Sequence, residues 1–158
     1  MALRRGIVRD LGGFDEALDM GAVLPGGGDS EMLWRILEAG HEVVYEPRVC
    51  VRHEHRSELH AAELQILGHN RAMIAALTKM LRVAPWKQKA SVTVFLVWRL
   101  LKPLVRLIRR AFGNDPLPAR LLWRLLTHTW AGLGAYPVAR RVAAQRIETI
   151  RRPGAGRA

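Results

Sequence analysis

The feature that most constrains the fold is the apolar spacing of the second half of the chain. From residue 57 to residue 152 apolar side chains recur at the helical period almost without a break. The interruptions are Pro85, the Asn114-Asp115-Pro116 turn, and the glycines at 132 and 134. We therefore predict four helices, over about 57–81, 86–112, 118–133 and 138–152.

The first 56 residues have a different character, with glycine clusters at 12–13 and 26–28 and shorter apolar runs. A helix-like piece at 3–11 precedes the first cluster. A helix is predicted over 29–39, where apolar residues form one stripe and Gly40 provides a stop signal. The valine-rich runs 42–45 and 49–51 predict two brief strands or one bent strand. The sequence therefore predicts an α+β protein that is mostly helical.

Charge divides the chain into two unlike parts. Residues 1–63 carry 12 acidic and 7 basic side chains, whereas residues 64–158 carry 2 acidic and 18 basic ones. The mildly acidic part is typical of a site that faces water. The strongly basic part is typical of a surface that contacts a polyanion. The single cysteine, Cys50, excludes an internal disulfide framework and a multi-cysteine zinc site.

The segment 86–112 is too often interrupted by charge to span a membrane, because Lys89 and Arg99 bracket only nine uncharged positions. It is better described as amphipathic. The predicted apolar face consists of Val97, Leu101, Leu104, Ile108 and Ala111, and the predicted basic face of Arg99, Lys102, Arg106 and Arg109. A basic amphipathic helix of this kind typically lies at the interface between a membrane and water. We therefore expect an anionic membrane surface as partner rather than nucleic acid. An ordinary bundle, in which the apolar stripes pack on one another, is the alternative.

Asp29 is the first candidate for chemistry. It follows three consecutive glycines and begins a predicted helix, where the helix dipole favours an ionised carboxylate with little steric cover. Such a carboxylate suits a general base or a metal ligand. The alternative is that Asp29 only caps the helix.

Five motifs in the first 56 residues follow one another in a recognisable order, at residues 1–5, 12–16, 27–40, 45–47 and 53–56. In this order they resemble the C-terminal half of the catalytic domain of family 2 glycosyltransferases, which have the GT-A fold. The resemblance implies a truncated GT-A (Rossmann-like) domain with a few short strands, followed by amphipathic helices. The chain departs from the family pattern at Gly28, where Glu is frequent, and at Glu31, which replaces a second Asp.

The resemblance also implies roles for individual residues. Asp29 corresponds to the base that deprotonates the acceptor hydroxyl. Substrate binding is expected of Asp15, Glu16, Glu31 and Arg35, and metal binding of His53 and His55, with Mn²⁺ or Mg²⁺ as the ion. The alternatives are solvated turn carboxylates at positions 15 and 16, an Arg35 that pairs with a neighbouring carboxylate, and surface histidines.

The match begins at Met1, and the chain has no Asp-x-Asp element of the kind that holds the donor's metal in this family. We therefore expect a fragment that lacks the nucleotide-binding half and is inactive alone. Its predicted parts are the catalytic remnant 1–84, the basic amphipathic tail 85–152 and a disordered end 153–158. The complete enzyme would transfer sugar from a nucleotide-sugar donor to a cell-surface or lipid-linked glycan, as a peripheral protein at the cytoplasmic face of a membrane.

Overall fold

A computed structural model describes residues 1–52 and 58–151. Within these ranges the chain forms six α-helices and one short 3₁₀ helix at Glu16–Leu18. The α-helices are α1 (Arg5–Asp10), α2 (Gly28–Glu38), α3 (Leu59–Val83), α4 (Trp86–Ala111), α5 (Ala119–Ala131) and α6 (Ala135–Arg151). The predicted disordered end 153–158 lies outside the described residues.

The predicted α+β class is wrong. The described residues are 69% helical and contain no strand, so the expected Rossmann-like GT-A remnant is replaced by an all-α arrangement. The runs 42–45 and 49–51 have no regular secondary structure, and Val44 and Val51 are largely exposed. A β-rich composition makes a strand only where a neighbouring strand and a packed face are present, and the described ranges supply neither to these runs.

Helix α3 is the centre of the packing and contacts α2, α4, α5 and α6. One side of it is lined by small residues, which pack against Ala135, Ala139 and Ala143 of α6 and against Leu18 and Leu24. Leu67, Ile74 and Leu77 on other sides contact α4 and α5. The contact with the end of α5 requires Gly132, because a Cβ there would lie 2.6 Å from Ile74 Cβ.

Helix α4 presents to the core a face other than the predicted apolar one. Leu96, Leu100, Pro103 and Leu107 point inward. The predicted apolar stripe faces away, with Leu101, Leu104 and Ile108 exposed by 45%, 43% and 52%. The predicted basic face is divided, because Arg99 and Arg106 lie toward the core while Lys102 and Arg109 remain exposed. In the described part of the chain, no helix is both long enough and apolar enough to cross a membrane.

Candidate functional site

The loop of Pro25 and three glycines lies directly on α3. Pro25 packs over Gly68, where an added Cβ would be 3.0 Å from the proline Cγ. Gly27, with a φ of 85°, faces Ala72 and Ala76, and a Cβ on it would lie 3.2 Å from Ala72 O and Ala76 Cβ. Positive φ and close backbone approach are both conditions that glycine meets best. The small residues of α3 therefore form the seat on which the glycine loop rests.

This seat sets the start of α2. Gly27 is the N-cap and Gly28 begins the helix, packed 3.0 Å (as an added Cβ) from Leu18 O. Asp29 is thus the second helical residue and not the cap, and it makes no side-chain hydrogen bond to the helix end. Its carboxylate is exposed in the first turn, where the helix dipole favours a negative charge.

Asp29 borders a cavity of about 310 Å³. The glycine loop and Ser30 form one wall, Phe14, Asp19 and Met20 form another, and His69 and Met73 of α3 close the third side. A cleft that combines apolar walls with a few polar side chains is the usual form of a small-molecule site. The predicted general base therefore lies at a hollow large enough for a sugar ring.

His69 belongs to this cavity and was not among the residues predicted from the sequence. Its ring lies against Gly26, where an added Cβ would be 3.2 Å from the ring's Cδ2. Within residues 1–52 and 58–151 the imidazole has no hydrogen-bond partner, so its nitrogens are available to a ligand. It is 40 residues from Asp29 in the chain, and only the packing of the glycine loop on α3 brings both to one cavity.

Next to the cavity lies a largely buried group of charged and polar side chains, which we call the Lys79 cluster: Asp15, Glu31, Arg35, Lys79 and Tyr136. The Lys79 ammonium is 2.7 Å from Asp15 Oδ2 and 2.6 Å from Glu31 Oε1. The carboxylates of Glu31 and Asp15 are 0% and 4% exposed. Buried charges persist in proteins when they are paired and hydrogen-bonded, and one lysine meets this requirement for both carboxylates.

Arg35 completes the pairing of Glu31. Its Nε and Nη2 donate to Glu31 Oε2 at 3.0 and 2.9 Å, and it also donates to the carbonyl oxygens of Leu11 and Gly13 at 2.6 and 2.7 Å. The guanidinium therefore ties α2 to the turn after α1. Of the two sequence alternatives for Arg35, the structure shows the pairing with a neighbouring carboxylate.

Asp15 accepts hydrogen bonds from three donors. Burial raises its pKa, but hydrogen bonds from Lys79, Tyr136 and the Ala17 amide outweigh burial, so the pKa lies below its ordinary value. The pKa of the Tyr136 hydroxyl is raised by burial and by its hydrogen bond to Asp15, so the tyrosine stays protonated. The hydrogen bond that the Tyr136 hydroxyl donates to Asp15 therefore holds α6 to the start of the 3₁₀ helix.

These contacts separate the four residues for which the sequence predicted substrate binding. The polar atoms of Asp15, Glu31 and Arg35 already have hydrogen-bond partners. Asp15 and Glu31 both accept from Lys79, and Arg35 donates to Glu31 and to backbone carbonyl oxygens. Glu16 is 57% exposed and lies 3.5 Å from Arg140. The structure supports a positioning role for the first three and brings only Asp15 to the cavity wall, where its carboxylate is already paired.

The predicted metal ligands His53 and His55 lie outside the described residues. Among the residues that the structure describes, no three His, Cys, Asp or Glu side chains come together in a way that could hold a metal ion. The described residues at the cavity thus do not fit the Mn²⁺ or Mg²⁺ that the resemblance implies, and the metal stays a prediction.

The chain is 41% identical over 56 residues to pre-mycofactocin glycosyltransferases of Mycobacterium tuberculosis, strains CDC 1551 / Oshkosh and ATCC 25618 / H37Rv. This similarity relates the chain to glycosyltransferases. The aligned stretch spans 35% of this chain and 11% of each relative's length. No protein family model and no solved structure matches the chain. The predicted transferase class is supported at this general level, while family 2 membership, the donor and the acceptor stay predictions.

Proposed function

We propose that this chain forms the acceptor-binding part of an inverting family 2 glycosyltransferase, with Asp29 as the general base. The observation that carries the proposal is the exposed Asp29 carboxylate at the mouth of the 310 Å³ cavity. The partial similarity to pre-mycofactocin glycosyltransferases supports sugar transfer as the reaction class. The donor would be a nucleotide sugar and the acceptor a glycan or lipid-linked glycan.

In this mechanism an acceptor hydroxyl donates a hydrogen bond to Asp29. As the hydroxyl oxygen forms its bond to the anomeric carbon, the proton passes to the carboxylate and the bond to the nucleotide diphosphate breaks. The diphosphate leaves with the bonding electron pair, and the configuration at the anomeric carbon inverts. A positioned base contributes about 10²–10⁴-fold to the rate of such a step.

The support around Asp29 suits this role. The Lys79 cluster anchors Glu31 and Arg35 in the same turns of α2, and the glycine loop on α3 fixes where the helix begins. Asp29 itself carries no partner that would compete with an acceptor hydroxyl in the described ranges. His69, which lines the same cavity, would hydrogen-bond a second hydroxyl and orient the sugar ring.

The test is an acceptor titration of the ¹⁵N-labelled chain with a panel of short oligosaccharides, followed by amide chemical shifts. We expect saturable shifts at residues 26–30 and at His69, because these line the cavity. Asp29→Asn should weaken binding by about tenfold or more, since it replaces a hydrogen bond to a charged group by one to a neutral amide. In a preparation that also supplies a donor-binding domain, the same substitution should lower turnover by about 10²–10⁴-fold.

Glu38→Gln is the matched control, because Glu38 is an exposed acid at the far end of the same helix. It should leave acceptor binding and turnover unchanged. The proposal would be contradicted if no glycan of the panel shifted the cavity amides. It would also be contradicted if Asp29→Asn bound acceptor and turned over like the unmodified chain.

A further inference from the structure

A second surface of the molecule is unrelated to the cavity. It is the outer face of α4, an apolar stripe in which residues follow at intervals of three and four: Val94, Val97, Trp98, Leu101, Leu104, Val105, Ile108 and Phe112 just past the helix end. Every one of them is exposed, by 43% at Leu104 to 76% at Phe112. The stripe is about 27 Å long at the helical rise. Contiguous apolar surface of this extent marks an interaction site rather than ordinary solvent-facing surface.

The charged residues of α4 itself are all of one sign. Helix α4 contains seven Lys and Arg residues and no Asp or Glu. Lys102 and Arg109 are exposed and lie seven residues apart, which is two helical turns, so they follow the same edge of the stripe. The Lys102 ammonium is 4.9 Å from the centre of the Trp98 ring. The partner of this face must therefore accept apolar side chains and carry negative charge at the border.

A hollow of about 500 Å³ opens along this basic edge. Trp98, Leu101 and Val105 of the outer face form its apolar wall, and Lys102 and Arg109 lie at its border. Arg106 also borders it but is held by Asp115, with hydrogen bonds of 2.7 and 2.8 Å. An apolar wall next to exposed cations is the arrangement that a phospholipid needs, with its chain beside the wall and its phosphate beside the cations.

We propose that the outer face of α4 docks on the surface of an anionic lipid bilayer, with the helix lying in the plane of the membrane. The apolar stripe would enter the boundary between headgroups and acyl chains, and Lys102 and Arg109 would contact lipid phosphates. A second copy of the chain fits this face less well, because pairing two α4 helices would bring cations against cations with no acid on either helix. This inference does not depend on the proposed sugar transfer.

The first measurement is co-sedimentation of the full chain with vesicles of phosphatidylcholine alone and with 30% phosphatidylglycerol. We expect binding to the anionic vesicles that weakens as salt is raised, because exposed charges are screened over about 10 Å at 0.1 M salt. Binding to neutral vesicles should be much weaker. Equal binding to both vesicle types, or binding to neither, would overturn the proposal.

Variants then locate the surface. Leu101→Ser and Ile108→Ser should each weaken vesicle binding by about tenfold, because each removes an apolar side chain that enters the bilayer. Lys102→Gln and Arg109→Gln should each weaken it by about fivefold. The matched controls are Leu37→Ser on α2 and Arg141→Gln on α6, both at exposed positions, which should stay within twofold. Circular dichroism checks that all variants keep the wild-type helicity.

A label reports the orientation. In a Cys50→Ser background, an environment-sensitive fluorophore on Leu104→Cys should shift to the blue and be quenched by lipids brominated on their chains. The same label on Leu37→Cys should remain in water. Penetration at Leu37 and not at Leu104 would contradict docking through α4.

Two further outcomes would assign the face to another partner and overturn the proposal. One is tight binding to single- or double-stranded DNA or RNA while vesicles are ignored. The other is a stable dimer in ultracentrifugation that Leu101→Ser disrupts, again without vesicle binding.

Discussion

The Lys79 cluster and the outer face of α4 are opposites in polarity. In the cluster, charged side chains are buried and hydrogen-bonded within the chain, with Glu31 wholly inaccessible. On α4, large apolar side chains are exposed while Arg99 and Arg106 lie toward the core. Burying charge and exposing apolar surface are both unfavourable, but among residues 1–52 and 58–151 only the first is compensated by contacts within the chain.

This difference indicates which of the two regions is stabilised by contacts among the described residues. The charges of the Lys79 cluster are paired among the described residues, and they fix Glu31 and Arg35 in the helix that also carries Asp29. No side chain in the described part of the molecule removes the apolar surface of the outer face of α4 from water. Substitutions in the two regions should therefore have very different effects on folding.

The largest effect is expected from Lys79→Met. It leaves the buried carboxylates of Asp15 and Glu31 without their shared cation, and breaking a buried ion pair costs about 3–5 kcal/mol. Urea denaturation followed by circular dichroism measures the change in the free energy of unfolding. Lys89→Met, the same substitution at an exposed position of α4, should change it by less than about 0.5 kcal/mol. Similar midpoints for the two variants would show that the cluster is not what stabilises the site.

The sequence predicted the helices well because each depends on periodicity within one segment. The predicted helices 29–39 and 86–112 correspond closely to α2 (Gly28–Glu38) and α4 (Trp86–Ala111). The helical period, however, does not tell which stripe meets the core. On α4 the inward stripe includes Pro103 and two arginines, while the most apolar face, for which the sequence left open a membrane surface or packing within the bundle, points away from the core.

The candidate site was predictable only where its residues are close in sequence. Asp29 and its glycine loop were visible as a local motif. Lys79 lies 48 residues from Glu31 and 64 from Asp15, and His69 is equally remote from the loop it contacts, so no local pattern points to them. A signal did exist, because Gly68, Ala72 and Ala76 recur every four residues on α3 and indicate close approach of another backbone.

A smaller effect on stability, and one that depends on pH, is expected from the ion pair between Arg106 of α4 and Asp115. Hydrogen bonds from Arg106 and the Leu117 amide lower the pKa of Asp115 from 3.8 to about 2. Because the unfolded chain then takes up this proton first, the contribution of Asp115 to stability is complete above about pH 4 and is lost as the pH falls toward 2. Asp15, whose pKa is also lowered, acts in the same direction.

Asp115→Asn should therefore destabilise the chain at pH 7, by less than Lys79→Met, and should make the loss of stability between pH 4 and pH 2 shallower. Thermal unfolding midpoints recorded over pH 2–7 measure how steeply stability falls with pH in the wild type and in Asp115→Asn. Glu38→Gln, at an exposed acid near the end of α2, should leave the wild-type slope intact. An Asp115→Asn profile parallel to wild type would mean that the Arg106 contact does not form in solution.

The smallest effect is expected on the outer face of α4. Leu101 and Ile108 are 45% and 52% exposed, so Leu101→Ser and Ile108→Ser should each change the free energy of unfolding by less than about 0.5 kcal/mol in the absence of lipid. Urea denaturation at two protein concentrations measures this and tests for association at the same time. A loss above about 2 kcal/mol would show that these side chains are buried in solution, by another part of the chain or by a second copy. Near-neutral folding together with weakened vesicle binding would instead place their whole contribution at the membrane, which is the contrast with Lys79 that the structure predicts.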